Sequence, residues 1–321
     1  MKPILYLVIP CYNEEEVLPV TSDLFLKKIM SLIGGGKIAD DSRIVFVNDG
    51  SRDKTWDIIS GLCASDTHYS GIALSRNRGH QNALICGLME SCGRCDITIS
   101  MDCDGQDDIN CIDKMLEEYS KGAEIVYGVR NDRSTDSFFK RNSAEIYYSM
   151  LKFMGVDIVP DHADYRLLSS RVIEALAGYG EVNLFLRGII PQLGFKTAKV
   201  YYSRAERMAG STHYPLRKMV ALGMDGITSF SIKPLRMITG LGGIIALLSF
   251  IGIIYIIIGA IIGNTTQGWA SMTCLLCFLS GIQMISLGII GEYIGKIYLE
   301  TKRRPRYIVD KTINLDDKQI S

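Results

Sequence analysis

Charged residues are missing from one long stretch of this chain, although the whole sequence carries 35 basic and 35 acidic residues. No Asp, Glu, Lys or Arg occurs in residues 237–291. Two apolar runs lie there, at 238–262 and 272–290, and each reaches the roughly 18–20 residues with which a helix crosses a bilayer. Two buried core helices are the alternative, but so long a stretch without charge favours a transmembrane hairpin over residues 236–297.

A net charge of either sign is also absent, so the composition gives no indication of nucleic-acid binding. Basic residues instead flank the two apolar runs, whereas the polar loop between the runs has none. Because basic flanks stay in the cytoplasm, we expect a multi-pass protein of the cytoplasmic membrane with its soluble part and both termini in the cytoplasm. The flanking residues are Lys233 and Arg236 on one side and Lys296, Lys302, Arg303, Arg304 and Arg306 on the other.

Cysteine is present but lacks the pattern of a metal or disulfide framework. The nine cysteines are an odd number, and the C-x-x-C pair at Cys92 and Cys95 has no second pair at zinc-finger spacing. Cys274 and Cys277 have the same spacing inside an apolar run, where helix packing explains them. A cytosolic domain also disfavours disulfides, so the sequence predicts structural thiols.

Residues 1–130 alternate short apolar runs with helical patterns, and no internal repeat or low-complexity tract interrupts them. This alternation predicts an α/β fold in which a mostly parallel, Rossmann-like sheet carries helices on both faces. Residues 4–9 read as the first strand, because no signal-peptide cleavage site follows them. Strands are predicted at 4–9, 44–48, 71–74, 97–101, 125–128 and 196–202, and helices at 15–32, 55–63, 81–92, 110–121 and 134–154.

The later soluble residues are less regular. Residues 157–164 are predicted to form a loop, and residues 165–176 are predicted to lead into a helix. Residues 214–231 mix apolar side chains with Arg217 and Lys218 just before the first apolar run. This pattern fits an amphipathic helix on the membrane surface, and it fits an ordinary docking helix equally well.

An acidic cluster follows the predicted strand near residue 100. Asp102 and Asp104 stand two positions apart where that strand should end, so their carboxylates can converge beyond its carboxyl edge. Open α/β sheets bind ligands at that edge, and two or three hard oxygens suit Mg²⁺ or Mn²⁺. A solvated acidic loop is the alternative.

Three further polar segments, at residues 10–14, 48–51 and 75–80, also lie at the carboxyl ends of predicted strands. A parallel sheet gathers such segments into one crevice. Asp49 can accept a hydrogen bond from a base or a ribose hydroxyl, and Gly50 permits close approach of the backbone. Together with the acidic cluster, these segments predict a nucleotide-sized site beside a metal.

Four of these segments carry a family resemblance. Residues 8–15 (VIPCYNEE), 47–55 (VNDGSRDKT), 74–81 (LSRNRGHQ) and 101–106 (MDCDGQ) resemble the family 2 inverting glycosyltransferases. The later segments, together with the apolar hairpin, are similar to the polyprenyl-phosphate subgroup, which includes bactoprenol glucosyltransferases and dolichol-phosphate mannose synthases. Those segments are residues 164–169 (DYRLLS), 210–214 (GSTHY), 225–231 (DGITSFS) and 234–236 (PLR). The resemblance spans about residues 4–300.

The resemblance implies a catalytic domain of the GT-A type and transfer of one sugar, with inversion, from a nucleotide sugar to a membrane polyprenyl phosphate. By the same resemblance, Asp104 and Asp164 would be catalytic, and Asp164 would lie near the anomeric carbon. The metal, Mg²⁺ or Mn²⁺, and the diphosphate would be held by Asp102, Asp104 and Gln106. The nucleotide sugar would also contact Pro10, Tyr12, Glu14, Asp49 and Asn77.

The expected domains are a GT-A domain at 1–210, an amphipathic juxtamembrane segment at 211–235, the hairpin at 236–297 and a cytoplasmic basic tail at 298–321. The family often has an aromatic residue where Arg78 stands, and usually Lys where His213 stands. The family also implies a downstream flippase and allows homo-oligomers that assemble through the membrane helices.

The acceptor chemistry leaves the role of Asp164 open. A phosphate monoester, with a second pKa of about 6, is mostly dianionic at neutral pH and is already a nucleophile. Asp164 is therefore either a general base or a group that orients the sugar or Arg166. Arg204 and Arg207, together with His213, are the candidates for binding the acceptor phosphate. Arg204 and Arg207 could instead face lipid headgroups or solvent.

Two other functions are weighed against this one. Processive polysaccharide synthases resemble this chain in its first 130 residues, but they carry a Gln-x-x-Arg-Trp segment before the membrane region. Neither Trp56 nor Trp269 lies in such a segment. A non-catalytic membrane scaffold conflicts with the intact set of Asp49, Asp102, Asp104 and Gln106. The resemblance favours glucose from UDP-glucose, because the bacterial family members with a membrane hairpin commonly use it, and GDP-mannose and UDP-N-acetylhexosamine are the alternatives.

Overall fold

The computed structural model describes residues 2–130, 162–181, 186–203, 233–262 and 268–315. These residues fall into two compact units. The larger unit contains the described residues up to 203 together with residues 305–315, and the second contains the described residues from 233 to 304. The predicted helix at 134–154 and the predicted amphipathic segment at 214–231 lie outside the described residues.

An eight-stranded sheet forms the centre of the larger unit, with strand order β7-β5-β6-β4-β1-β2-β3-β8. The inner strands are nearly continuous apolar runs because both faces of a mostly parallel sheet are covered; all seven residues of β1, for example, are buried. The strands are β1 (Leu5–Cys11), β2 (Arg43–Asn48), β3 (Tyr69–Leu74), β4 (Ile97–Ser100), β5 (Ile125–Arg130), β6 (His162–Ser169), β7 (Thr197–Tyr202) and β8 (Val309–Ile313).

Six helices accompany the sheet in the described part of the larger unit. The helix that follows each of the first four strands connects it to a later parallel strand, as the predicted alternation requires. The helices are α1 (Leu18–Gly34), α2 (Thr55–Ser65), α3 (His80–Ser91), α4 (Cys111–Ser120), α5 (Ser170–Ala177) and α6 (Leu186–Gln192). The mostly parallel α/β fold predicted from the sequence is therefore confirmed.

Strand direction decides where the site lies. β1 runs parallel to β2 and β4, β2 to β3, and β5 to β7. β6 runs antiparallel to both of its neighbours, β4 and β5, and β8 runs antiparallel to β3. The carboxyl ends of six strands therefore share one edge of the sheet, and the amino end of β6 lies at the same edge. Asp164, near the start of β6, reaches that edge from the opposite chain direction.

The loop predicted at residues 157–164 is wrong from His162 onward, where β6 begins. β6 is a central strand between β4 and β5, yet it carries Asp164 and Arg166. Charged residues are nearly always excluded from such a position unless they are paired, and this is why the pattern did not indicate a strand. The helix predicted after it is confirmed as α5. Ser169 caps this helix by accepting a hydrogen bond from the N–H of Val172.

The chain returns to the sheet after the apolar hairpin predicted at residues 236–297. β8 adds to the free edge of β3, with Gly71 opposite Ile313 and Ala73 opposite Lys311. The sequence, which we interpreted as a basic tail from residue 298, predicted no strand here. Three of the five residues of β8 are exposed, so the strand lacks the apolar run that identifies the buried strands.

The second unit contains two long helices, α7 (Lys233–Ile261) and α8 (Trp269–Thr301). Both include a window long and apolar enough to cross a membrane, Lys233–Gly252 with a mean hydropathy of 1.8 and Phe278–Thr301 with 1.3. Among the side chains described in these windows, none is buried. Unburied apolar helices of this length fit the predicted transmembrane hairpin and do not fit helices of a soluble core.

Candidate functional site

The loops after β1 and β2 are joined by hydrogen bonds between side chains and backbone. The N–H of Asn13 donates to Ser51 Oγ at 3.0 Å, and the N–H of Arg52 donates to Asn13 Oδ1 at 3.0 Å. The N–H of Glu14 donates to Thr55 Oγ1 at 2.9 Å. These bonds fix the predicted nucleoside side of the site as one rigid corner.

Asp49 is buried at the end of β2 and ties that corner to the loop after β3. Its two carboxylate oxygens accept the backbone N–H groups of Arg78, at 2.6 Å, and Gly79, at 2.8 Å. Burial raises the pKa of Asp49, although these N–H donors and nearby positive charges oppose the shift. Gly50 has a φ of 62°, and a Cβ there would lie 2.4 Å from the carbonyl carbon of Arg76. The close approach of the two loops therefore requires glycine.

The acidic cluster lies beyond β4 as predicted. Asp102 and Asp104 are half-buried, Gln106 is buried, and the N–H of Gln106 donates to Asp104 Oδ1 at 3.1 Å. Burial raises the pKa of Asp102, and the charges of Asp107, Asp164 and Asp104 raise it further, against the effect of His80. Several negatively charged carboxylates thus repel one another within a small volume.

A divalent cation would offset that concentration of negative charge, so the residues present fit the predicted metal. In the described part of the chain, no group of three or more His, Cys, Asp or Glu side chains is arranged as a metal site. The predicted set has only two carboxylates, and its third member, Gln106, is an amide. Asp102, Asp104 and Gln106 would hold a hard cation that keeps water or phosphate oxygens as its other ligands.

Asp164 is the most heavily paired carboxylate of the site. It accepts a hydrogen bond from the guanidinium of Arg166, which is only 1% exposed, and an Arg187 nitrogen donates to its Oδ2 at 3.0 Å. Burial alone would raise its pKa, but the nearby His80 and the two arginines hold the pKa of Asp164 well below its ordinary value. A carboxylate so strongly held in its ionised form is a weak proton acceptor.

His80, the first residue of α3, lies between the carboxylates of Asp102 and Asp164. Its Nε2 is 3.6 Å from Asp102 Oδ1 and 3.7 Å from Asp164 Oδ2. Burial would lower its pKa, but the nearby carboxylates of Asp164 and Asp102 outweigh burial and raise the pKa of His80. This side chain links the predicted metal ligands to the predicted catalytic carboxylate.

A further polar cluster lies beside the acidic loop. The hydroxyl of Tyr202, at the end of β7, donates to Asp107 Oδ1 at 2.5 Å and accepts from Arg130 Nε at 3.3 Å. A second Arg130 nitrogen is 3.7 Å from the same Asp107 oxygen. The cluster connects the ends of β5 and β7 to the loop that carries Gln106.

The structure brings together Asp49, Asp102, Asp104, Gln106 and Asp164. The other predicted donor residues lie at the carboxyl ends of β1 and β3: Pro10 is buried, Glu14 is half-buried, Tyr12 is 43% exposed, and Asn77 is exposed. The predicted acceptor residues, Arg204, Arg207 and His213, lie outside the described residues.

Sequence reasoning assigned no role to His80, Arg130, Asp107, Tyr202 or Arg187. His80 was inside a recognised motif, and its position at the start of a helix after a strand could have drawn attention to it. Arg187 could not have been found in this way, because the short helix α6 was not predicted.

Comparison with known proteins agrees with this geometry. Residues 6–175 match "Glycosyl transferase family 2", and residues 233–297 match "GtrB C-terminal hairpin". The chain is similar to "Uncharacterized glycosyltransferase YkoT" of Bacillus subtilis, with 46% identity over 100% of this chain and 94% of the relative. It is also similar to "Bactoprenol glucosyl transferase" of Shigella phage SfX, with 40% identity over 94% of this chain and 97% of the relative.

Among solved structures, the fold resembles that of the mannosyltransferase PcManGT from Pyrobaculum calidifontis in complex with GDP-Man and Mn²⁺. The TM-score is 0.50 at 12% identity, over 95% of this chain and 89% of the other. At this identity the likeness concerns the fold alone.

Proposed function

The chain belongs to glycosyltransferase family 2 and is a glycosyltransferase, and from this premise we propose that it transfers one glucosyl group from UDP-glucose to a membrane polyprenyl phosphate, with inversion at the anomeric carbon. One observation carries the proposal: Asp49, the acidic loop and Asp164 meet at one edge of the sheet in a chain that also has an apolar hairpin. Relatives of nearly full length that are named bactoprenol glucosyl transferases support both the sugar and the acceptor.

On the donor side, the corner formed by the loops after β1 and β2 receives the nucleoside. Tyr12 and Asn77 offer exposed side chains to it, and Pro10 and Glu14 line it. Asp49 already accepts two backbone N–H groups, so its remaining lone pairs are available to a ribose or base donor. Asp102, Asp104 and Gln106 would hold a divalent cation, which when bound neutralises the charge that develops on the leaving diphosphate.

On the acceptor side, the lipid phosphate attacks as an anion and requires no strong base. Asp164, held ionised by Arg166 and Arg187, orients these cations and the sugar and does not remove a proton. Arg204, Arg207 and His213 are proposed to bind the acceptor phosphate. The low pKa of Asp164 favours this orienting role over the alternative of a general base.

The donor and the acceptor can be tested with the purified chain in detergent. We expect transfer of labelled glucose from UDP-glucose to polyprenyl phosphate, and loss of this transfer when EDTA is present. GDP-mannose and UDP-N-acetylglucosamine serve as competing donors, and dephosphorylated polyprenol is the control acceptor. Transfer from a different donor would overturn the choice of glucose, and absence of any lipid-linked product would overturn the acceptor.

The basic flanks further support an orientation in the cytoplasmic membrane with both termini and the catalytic residues inside the cell. The donor is then drawn from cytosolic nucleotide sugars, and the product forms on the inner leaflet. Because two helices provide no path for a sugar headgroup, use of the product outside would need a separate flippase. Homo-oligomers that assemble through the membrane helices are compatible with this arrangement.

Impermeant maleimide labelling of intact cells tests this orientation. We expect a cysteine introduced at Thr266, between the two helices, to be labelled, and one introduced at Asp310, on β8, to be labelled only after lysis. The parent chain, whose described cysteines are free thiols and mostly buried, supplies the background signal. Labelling of the Asp310 position but not of the Thr266 position in intact cells would contradict the proposed orientation and indicate the opposite one.

A further inference from the structure

Three consecutive residues after the membrane hairpin contact three separate parts of the catalytic unit. Arg306 Nε donates to the carbonyl oxygen of Glu181 at 2.6 Å, and a second Arg306 nitrogen donates to the carbonyl oxygen of Tyr179. The carbonyl oxygen of Ile308 accepts the N–H of Ser75 at 3.0 Å. Tyr307, between them, is half-buried, and burial together with Cys86 and Glu90 of α3 raises its pKa.

The two segments that share these hydrogen bonds with residues 306 and 308 lead to the partners of Asp164. Ser75 begins the loop whose Arg78 and Gly79 N–H groups bind Asp49, and this loop ends at His80, the first residue of α3. Tyr179 and Glu181 follow α5 in the chain segment before α6, which carries Arg187.

The post-hairpin residues are themselves anchored far from the site. Beyond Ile308, β8 pairs with β3. Asn314, the residue after β8, has a positive φ of 55°. Asn314 Nδ2 donates to the carbonyl oxygens of Cys63, at 2.7 Å, and Tyr69, at 2.9 Å. The carbonyl oxygen of Asn314 accepts from Ser70 Oγ and from Arg43. A short segment fixed at one end by a strand and this cluster can transmit rigidity to what it touches at the other end.

We propose that residues 306–314 are a positioning element of the active site, which holds the two segments that bring His80 and Arg187 to Asp164. This proposal rests on the role given to Asp164 in the proposed function. The membrane hairpin is then inserted in the sequence between two parts of the catalytic unit, and it is not a terminal anchor. Arg306 is a positioning residue, since it acts through the backbone of residues 179–181 and touches none of the reacting groups.

Arg306→Ala tests the proposal, and Arg304→Ala is its matched control because it removes the same charge from an exposed position two residues earlier. We expect Arg306→Ala to lower kcat by about 10- to 100-fold, the size of effect that a misplacement of about 1 Å produces. The KM for the nucleotide sugar should stay within about threefold of the Arg304→Ala value. Arg306→Lys, which can donate to one carbonyl but not reproduce the guanidinium fork, should restore part of the loss.

Hydrogen exchange provides a readout that does not depend on the reaction. In Arg306→Ala, amide exchange should accelerate around residues 75–80 and 179–181 and remain unchanged in β1 and β2. If Arg306→Ala does not fold, the same comparison is made with Arg306→Lys. A kcat and exchange pattern equal to those of Arg304→Ala would overturn the positioning role. An inactive wild type would overturn the proposed function, and local exchange would still decide whether Arg306 holds these segments.

Discussion

Asp104→Asn is expected to reduce turnover by about 10³-fold, which corresponds to about 4 kcal/mol of lost transition-state stabilisation. The substitution keeps the shape of the side chain, and its oxygen can still accept the N–H of Gln106. It removes one of the two charges that would hold the divalent cation. Initial rates over a range of Mn²⁺ concentrations measure the effect, because a weakened ligand should also raise the metal concentration needed for half-maximal rate.

Asp108→Asn provides the matched control in the same loop. Asp108 Oδ1 accepts the N–H of Asn110 just before α4, at 2.9 Å, and asparagine serves equally well in such a side-chain turn. Its turnover should therefore remain near the wild-type value. Thermal unfolding with and without Mn²⁺ and UDP gives an independent readout, since binding to the native state raises Tm. An Asp104→Asn variant with normal turnover at limiting Mn²⁺ and an undiminished Tm shift would refute the metal assignment.

The parallel part of the sheet could be predicted from the sequence because local and global signals agree there. β1, β2 and β4 are short, buried and mostly apolar runs, and each is followed by a polar segment and then a helical pattern. Since carboxyl ends of parallel strands share an edge, the convergence of Asp49 with Asp102 and Asp104 followed without knowledge of the strand order.

β6 and β8 could not be predicted because their stability comes from distant partners. Asp164 and Arg166 neutralise each other inside the sheet, so β6 tolerates charges that normally indicate a loop. β8 is a mostly exposed edge strand, and its register with β3 depends on Asn314, more than 240 positions away from Tyr69 and Ser70. Contacts of that sequence separation leave no local pattern.

The same reasoning explains the incomplete prediction of the site. From the sequence we predicted carboxylates that could bind a metal ion, but not the basic side chains that pair with these carboxylates. His80 and Arg187 reach Asp164 from different helices, 84 and 23 positions away in sequence. Their role as partners of one carboxylate depends on strand order and on the reversed direction of β6, neither of which a single sequence specifies.

Asp164→Asn is expected to affect stability and catalysis together. Arg166 is almost fully buried and has its ion pair with Asp164, so removing the carboxylate charge leaves a buried guanidinium without its counter-charge. Breaking a buried pair in this way costs about 3–5 kcal/mol. Turnover should fall by at least about 10²-fold, because Arg166, Arg187 and the sugar lose the carboxylate that orients them. Chemical denaturation of the detergent-solubilised protein and steady-state kinetics measure the two effects.

Arg187→Gln separates the two contributions. The Arg187 side chain is 38% exposed, and its removal leaves Asp164 paired with buried Arg166, so the loss of stability should be about 1 kcal/mol or less. If Asp164 acts by orienting cations, Arg187→Gln should still lose about tenfold or more in kcat while folding normally. If Asp164 were a general base, loss of one arginine would raise its basicity, and the Arg187→Gln variant would keep or increase its turnover. That result would return the proton-accepting role to Asp164 and reject the orienting role argued from its low pKa.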